Sequence, residues 1–239
     1  MSLRGAPTAR RGNLNSLASS HRIKHEIATL PLVARNDKNT MILPHSFYDR
    51  ATLIVARELI GARLVRILDG VKLVGFITET EAYIGEKDLG CHAHVGKTNR
   101  NAVMFGPPGH AYVYFTYGNH WMLNAVTERE GFPAAVLIRA IQPIEGIEVM
   151  SERRSGRDTF GPGKLTQAMG ITKSENGIDL TETNDALSLS KGSGLWIEAG
   201  VHVPNSRVTK SPRVGLYSVP EPWKSKPWRF RATDLAEKE

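Results

Sequence analysis

Apolar and polar positions repeat with different periods along the chain, and each period predicts an element. After Pro44, the residues Leu53, Ile54, Ala56, Leu59 and Ile60 recur at helical spacing, and Gly61 can close that helix in a left-handed conformation. Leu64–Leu68 and Val71–Thr80 are β-prone runs joined by Asp69-Gly70. That dipeptide favours a two-residue hairpin turn, because both turn positions require positive φ. Residues 85–109 are rich in Gly, Pro, His and Asn and predict a long loop, a length that is uncommon unless the loop has a task. Three further strands, Ala111–Tyr117, Trp121–Val126 and Ala134–Ile141, are joined by Gly118-Asn119 and Gly131-Phe132-Pro133. Ile144–Arg154 reads as a helix, residues 161–175 as a short helix behind a Gly-Pro-Gly turn, and residues 195–230 as strand-like segments. The pattern predicts a single α+β domain, residues 41–239, on a mostly antiparallel curved β-sheet with peripheral helices.

Residues 1–40 have no sustained period and are rich in Arg, Ser, Asn and Ala, so they are expected to form a disordered tail. Met1–Arg22 has no acidic residue, which keeps an organelle transit peptide open, and no uninterrupted apolar core, which argues against a secretory signal. Charge sharpens this division. The net charge is +7, yet residues 1–40 hold seven Lys/Arg against two Asp/Glu, and residues 205–231 hold seven against Glu221 alone. The rest of the chain is therefore slightly acidic. Two basic segments flanking such a body suit a polyphosphate partner, and equally a solvated surface. No run of about eighteen apolar residues predicts a membrane span. Cys91 is the only cysteine, so an internal disulfide is excluded and a reducing compartment fits.

Four stretches could carry chemistry. On a strand, Glu79, Glu81 and Tyr83 share one face: ordinary surface residues if that face meets solvent, a candidate general base beside a phenol if it lines a cleft. Cys91-His92-Ala93-His94 has metal-ligating residue types, but no second cluster completes a site, and the expectation is no metal. Ala111–Gly118 holds four aromatic residues. Tyr112 and Tyr114 share one face, and Tyr117 stands at the hairpin tip. β-propensity alone accounts for aromatics on strands; a stacking wall for a flat base with a wedge at its tip is the functional alternative. Arg139 and Asn124 are polar intruders in apolar strands. Each is either a structural partner or a reader of substrate.

Together these residues resemble the alkyladenine (3-methyladenine) DNA glycosylase family, the type without a helix-hairpin-helix motif. The matching motifs are collinear: Glu79-Thr80-Glu81-Ala82-Tyr83, His92, Asn99-Arg100-Asn101, Tyr112-Val113-Tyr114, Tyr117-Gly118, Asn124, Leu137-Ile138-Arg139-Ala140, Gly161–Leu165, Arg213-Val214-Gly215 and Lys226–Phe230. They span roughly residues 44–231, leaving the basic tail outside. The resemblance implies that Glu81 is the general base activating water and that Arg139 helps hold that water. It implies a base pocket from Tyr83, His92, Tyr114, Asn124 and Leu137, with Asn124 disfavouring guanine. Tyr117 is implied as the wedge filling the vacated stack, and Arg100, Asn101, Lys164 and Arg229 as DNA contacts. Two features depart from the pattern: His94 is an extra histidine, with spacing from Tyr83 favouring His92 for the pocket, and Cys91 stands where a small residue is expected.

The implied activity is monofunctional: an alkylated or deaminated purine is flipped from duplex DNA and its N-glycosidic bond hydrolysed without a cofactor, leaving an abasic site. Such bonds cleave through a transition state with positive charge on the sugar, which a carboxylate stabilises. The expected partner is double-stranded DNA carrying damaged purines, bound by a monomer without any membrane. The expected setting is the cytoplasm, associated with the nucleoid, in a bacterium, or the nucleus or an organelle in a eukaryote. Three rivals remain from residues alone: a non-catalytic nucleic-acid binder, a sugar hydrolase using Glu79 and Glu81, and kinship of fold only with a formyltransferase C-terminal domain.

Overall fold

In the computed structural model the described residues are 41–116, 118–182 and 192–235. The expected N-terminal tail, and Tyr117 with its wedge role, lie outside them. Eight strands form one sheet: β1 (Arg63–Leu68), β2 (Val71–Ile84), β3 (Ala111–Thr116), β4 (His120–Val126), β5 (Ala134–Glu145), β6 (Ser193–Glu198), β7 (Thr209–Ser211) and β8 (Arg229–Arg231). Their order is β3-β4-β5-β2-β1-β6, with β8 beside β2 and β7 beside β8, and every pairing between them is antiparallel. The sheet curls into a half-barrel within a single α+β domain. The long central strand β2 pairs with β5 on one side. On the other it pairs first with β1 and then with β8.

Local sequence accounts for much of this. Asp69 and Gly70 have φ of 51° and 78°, which the two-residue hairpin between β1 and β2 requires. After the single turn α1 (His45–Tyr48), helix α2 (Thr52–Glu58) buries Val55 and Ala56, followed by Leu59 and Ile60, whereas Ile54 faces outward. Gly61 then turns the chain with φ +94°, and a Cβ there would stand 2.3 Å from the Val201 carbonyl oxygen. Both the space and the backbone therefore demand glycine.

Several expected boundaries differ. β5 runs on to Glu145, and helix α3 starts only at Ile147 (Ile147–Arg153). Gly146, with φ +69° and no room for a side chain between Leu73 and the Lys72 carbonyl, makes the strand-to-helix corner. Helix α4 (Pro162–Met169) stops at left-handed Gly170, so residues 173–175 form a separate 3-10 turn capped by Thr172. The strands within residues 195–230 are only the end of β6, the short β7 and the start of β8, with a 3-10 turn at Asn205–Arg207. The intervening loop carries Pro204, Pro212, Pro220, Pro222 and Pro227, none of which can donate to a ladder.

The main core lies on one face of the sheet. Val113, Leu123, Val136, Ile138 and Ile141 meet Val55, Leu59, Leu165 and Met169 from the helices there. A smaller cluster of Cys91, Ala93, Met104, Tyr112, Val126 and Ala135 packs with Tyr83 and Tyr114. Residues 85–109 supply Cys91, Ala93 and Met104 to it through two 3-10 turns, His92–Val95 and Ala102–Phe105. The expected loop therefore builds a second packed layer. No helix of the described residues is long and apolar enough to cross a membrane.

Candidate active site

Strand register assembles the site. Glu81 of β2 lies opposite Leu137 of β5, Leu137 opposite Asn124 of β4, and Asn124 opposite Tyr112 of β3. Directly opposed residues project to the same face, so these four form one row across four strands, spanning about 14 Å at the usual strand spacing. Tyr83, two residues beyond Glu81, continues on that face.

Arg139 enters through an irregularity. The β2–β5 register passes from Ile77↔Ile141 to Glu79↔Ala140 and then to Thr80↔Ile138. Thr78 is left without an opposite residue on β5, and Arg139 without one on β2. Such bulges redirect side chains next to functional sites. Arg139 Nε donates to Glu79 Oε1 at 2.7 Å and lies 3.3 Å from Glu81 Oε1. Arg229 Nε on β8 stands 3.7 Å from the same Glu79 oxygen.

Glu81 is fully buried. Its Oε1 accepts the Val214 backbone N–H at 2.6 Å, and its Oε2 accepts the Tyr83 hydroxyl at 2.8 Å. Burial pushes its pKa up, against the opposing pull of Arg139, the Val214 N–H and the Tyr83 hydroxyl; the Glu79 charge adds to the rise. Desolvation pulls the Arg139 pKa down, but Glu81 and Glu79 outweigh it and hold the guanidinium firmly charged. The result is a carboxylate more basic than a free one, fixed by two hydrogen-bond donors and the neighbouring Arg139 charge, in the surroundings expected of a general base.

The facing wall is aromatic. His92 shares a 2.9 Å hydrogen bond through Nδ1 with the Tyr112 hydroxyl, and its ring meets Tyr114 edge-on at 4.5 Å. Burial, with Arg100 and His94 nearby, lowers the His92 pKa to about 4, so the imidazole is neutral at neutral pH. His94 is exposed, its Nδ1 turned back to the Cys91 carbonyl at 2.7 Å. Of the two histidines, only His92 contacts this wall. Cys91 caps the turn with its sulfur accepting from Ala93 N–H, and burial pushes its thiol up to about 12. Asn124 is buried and donates to the Tyr112 carbonyl at 2.9 Å.

The sequence-predicted DNA contacts fall into different settings. Arg100 is exposed, bonded to the Phe115 carbonyl at 3.1 Å and lying over the Tyr114 ring. Lys164 is half-buried and paired with Asp158 at 3.0 Å. Asn101, in contrast, is only 2% exposed. Its side chain accepts from Thr98 N–H and donates to the His92 and Gly96 carbonyls, so it shapes the loop instead of facing solvent. Arg229 flanks Glu79 at 3.7 Å.

A family model for methylpurine-DNA glycosylase matches residues 46–236. The chain belongs to the methylpurine-DNA glycosylase family. It is thus a DNA glycosylase, a hydrolase acting on N-glycosyl bonds. Among its relatives, a protein of Methanocella arvoryzae is 48% identical over 79% of this chain and 91% of its own length. One of Chlorobaculum parvum is 46% identical over 74% and 83%, and one of Carboxydothermus hydrogenoformans 45% over 80% and 94%. All three bear the name "Putative 3-methyladenine DNA glycosylase".

Sequence reasoning missed parts of this candidate site. Asp88 and Arg213 were given no role, although Arg213 stands in a matching motif, and Val214 acts through its backbone, which no side-chain pattern reveals. Tyr112 was legible as part of an aromatic strand, but not as the partner of His92, twenty residues away.

Proposed function

We propose that the protein is a monofunctional glycosylase that flips alkylated or deaminated purines, such as 3-methyladenine and hypoxanthine, out of duplex DNA and hydrolyses the N-glycosidic bond. The observation that carries this reading is Glu81: a buried, basic carboxylate held by Arg139, Tyr83 and Val214 beside an aromatic wall. In this reading Glu81 takes a proton from a water held near Arg139. Its negative charge stabilises the cationic sugar as the bond to the base breaks. The departing base leaves with the bonding electron pair, and the water oxygen bonds to the sugar.

Tyr83, Tyr114 and neutral His92 flank the base. Aromatic faces favour a cationic alkylated purine by roughly 0.5–2 kcal/mol per good contact. Asn124 and Leu137 form the floor, where the Asn124 amide can discriminate between purine edges. Arg100, Lys164 and Arg229 supply positive charge for phosphates, and Tyr117 fills the vacated stack. The names of the relatives support 3-methyladenine as a substrate. Both Glu79 and Glu81 lie against the same Arg139, which disfavours a sugar hydrolase, whose carboxylates flank the bond.

The test is single-turnover excision of hypoxanthine and 3-methyladenine from duplex DNA by the wild type and Glu81→Gln, with binding measured alongside. The expected result is base release with an alkali-labile site from wild type, and a loss of about 10²–10⁴-fold in the variant with binding retained. Lesion binding without release from either substrate overturns the proposal.

A further inference from the structure

A buried ion pair lies behind Glu81. Arg213 Nη1 donates to Asp88 Oδ2 at 2.6 Å, and Nη2 to Asp88 Oδ1 at 2.8 Å, with both side chains fully enclosed. Each end is tied into one of the two loops that build the site. Asp88 also accepts from the N–H groups of Gly90 and Ile84, at 3.0 and 3.2 Å, and so fixes the chain entering the His92 turn. Arg213 also donates to the carbonyls of Ala82 and Trp223, at 2.9 and 3.3 Å, and its guanidinium lies 4.7 Å from the Tyr83 ring and 5.0 Å from the Trp228 ring. Beyond Trp228 the layering continues, with the Lys226 ammonium held between Trp228 and Trp223 at 4.3 and 3.8 Å. The residue following Arg213 is Val214, whose N–H rests on Glu81.

We propose that the Asp88–Arg213 pair is a positioning device for the reaction: it pins the Val214 N–H on Glu81 and anchors the loop carrying His92, so that base and pocket wall form as one unit. The inference rests on Glu81 being the base. Breaking a buried pair leaves an uncompensated charge and frees both loops. Once the Val214 N–H is released, the Glu81 anion loses a stabilising donor and binds its proton more tightly. The other charged and titratable groups facing Glu81 are Arg139 of β5, and Glu79 and Tyr83 of β2, with Arg229 of β8 acting through Glu79.

Asp88→Asn separates this role from simple charge. Both Asp88 oxygens accept from two donors each, so an amide in either orientation sets an NH₂ against donors and breaks one arm of the pair. If Asp88 acts only as a nearby negative charge, removing it must lower the Glu81 titration midpoint. If it acts through the Arg213–Val214 clamp, the midpoint must rise.

The midpoint can be read without activity, from carboxyl-carbon NMR of ¹³C-glutamate-labelled full-length protein, with the Glu81 signal assigned by its loss in Glu81→Gln. The expected result is an upward move of about half to one unit in Asp88→Asn. The acid limb of the single-turnover pH profile should move with it, with excision falling about 3- to 10-fold below the limb. Arg213→Lys keeps the charge but loses the two-pronged fork, and should move the midpoint in the same direction. It stands in if Asp88→Asn does not fold. An unchanged or lowered midpoint with only a reduced melting temperature overturns the proposal. A wild type that excises nothing overturns the proposed function instead, while the NMR midpoint still decides the positioning role.

Discussion

Arg139 donates its Nε–H to Glu79 at 2.7 Å while standing 3.3 Å from Glu81, so the carboxylate outside the proposed mechanism holds the shorter contact. Glu79 thus draws positive charge away from the base and adds its own negative charge beside it. Both effects raise the proton affinity of Glu81. Glu79→Gln should release Arg139 towards Glu81 and lower that affinity. The acid limb of single-turnover excision should then shift down by about half a unit or more, and the plateau rate should fall a few-fold, roughly as expected for a weaker base. A limb that stays in place would show that Glu79 does not tune the base.

A carboxyl held above its ordinary pKa by burial, as Glu81 is, lowers the stability of the fold. For a carboxyl with a raised folded-state pKa, its contribution to stability is fully present below the unfolded value and is lost as pH rises through the folded value. At neutral pH the wild type therefore carries the cost of a desolvated charge. Glu81→Gln removes the charge at nearly constant shape, and Arg139 keeps Glu79 as a partner. The variant should melt above wild type at pH 7. The gain should shrink as pH falls towards 4. A variant less stable than wild type at pH 7 would contradict this account.

How much of this was readable beforehand depended on sequence distance. The Asp69-Gly70 hairpin, the Gly61 stop and the shared face of Glu79, Glu81 and Tyr83 follow from neighbours along the chain, and all were legible. Arg139 was visible as a charge in an apolar strand. Its aim at Glu79 and Glu81 comes from a register slip between β2 and β5, and such slips depend on pairing between strands far apart in sequence. The same reason hides Glu128, which accepts from both the N–H and hydroxyl of Thr52 at the start of α2 across 76 residues. It also hides Asp88–Arg213, separated by 125. The family motifs picked out residues that the fold brings together; the partners that position them emerge only in three dimensions.

His92 gives a prediction of opposite sign to Glu81. Burial lowers its pKa from 6.5 to about 4. A depressed histidine contributes stability that is present above the unfolded value and lost as pH falls towards the folded one, because the unfolded chain takes up the proton first. Wild type should therefore lose stability between about pH 6.5 and pH 4 through this residue. Comparison of melting temperatures at pH 7 and pH 5 should show a smaller drop for His92→Gln. The same substitution should slow excision without moving its acid limb above pH 5, since a neutral imidazole does not titrate there. A limb that moves with His92 would transfer the titration from Glu81 to the histidine.

The basic N-terminal segment makes a prediction that needs only its charge. Residues 1–38 carry seven Lys/Arg and two Asp/Glu, a local excess of five positive charges. If these approach DNA phosphates they release counterions, and each neutralised phosphate contributes about −0.9 to the slope of log K against log salt. Deleting residues 1–38 should therefore flatten the salt dependence of binding to undamaged duplex and weaken it most at low salt. Excision measured under single-turnover, saturating conditions should be nearly unchanged, because Glu81, Arg139, Tyr83 and His92 all lie in the described domain. A collapse of that rate would assign the segment a part in the chemical step. An unaltered salt slope would mean that DNA affinity resides in the folded surface around Arg100, Lys164 and the basic stretch 205–231.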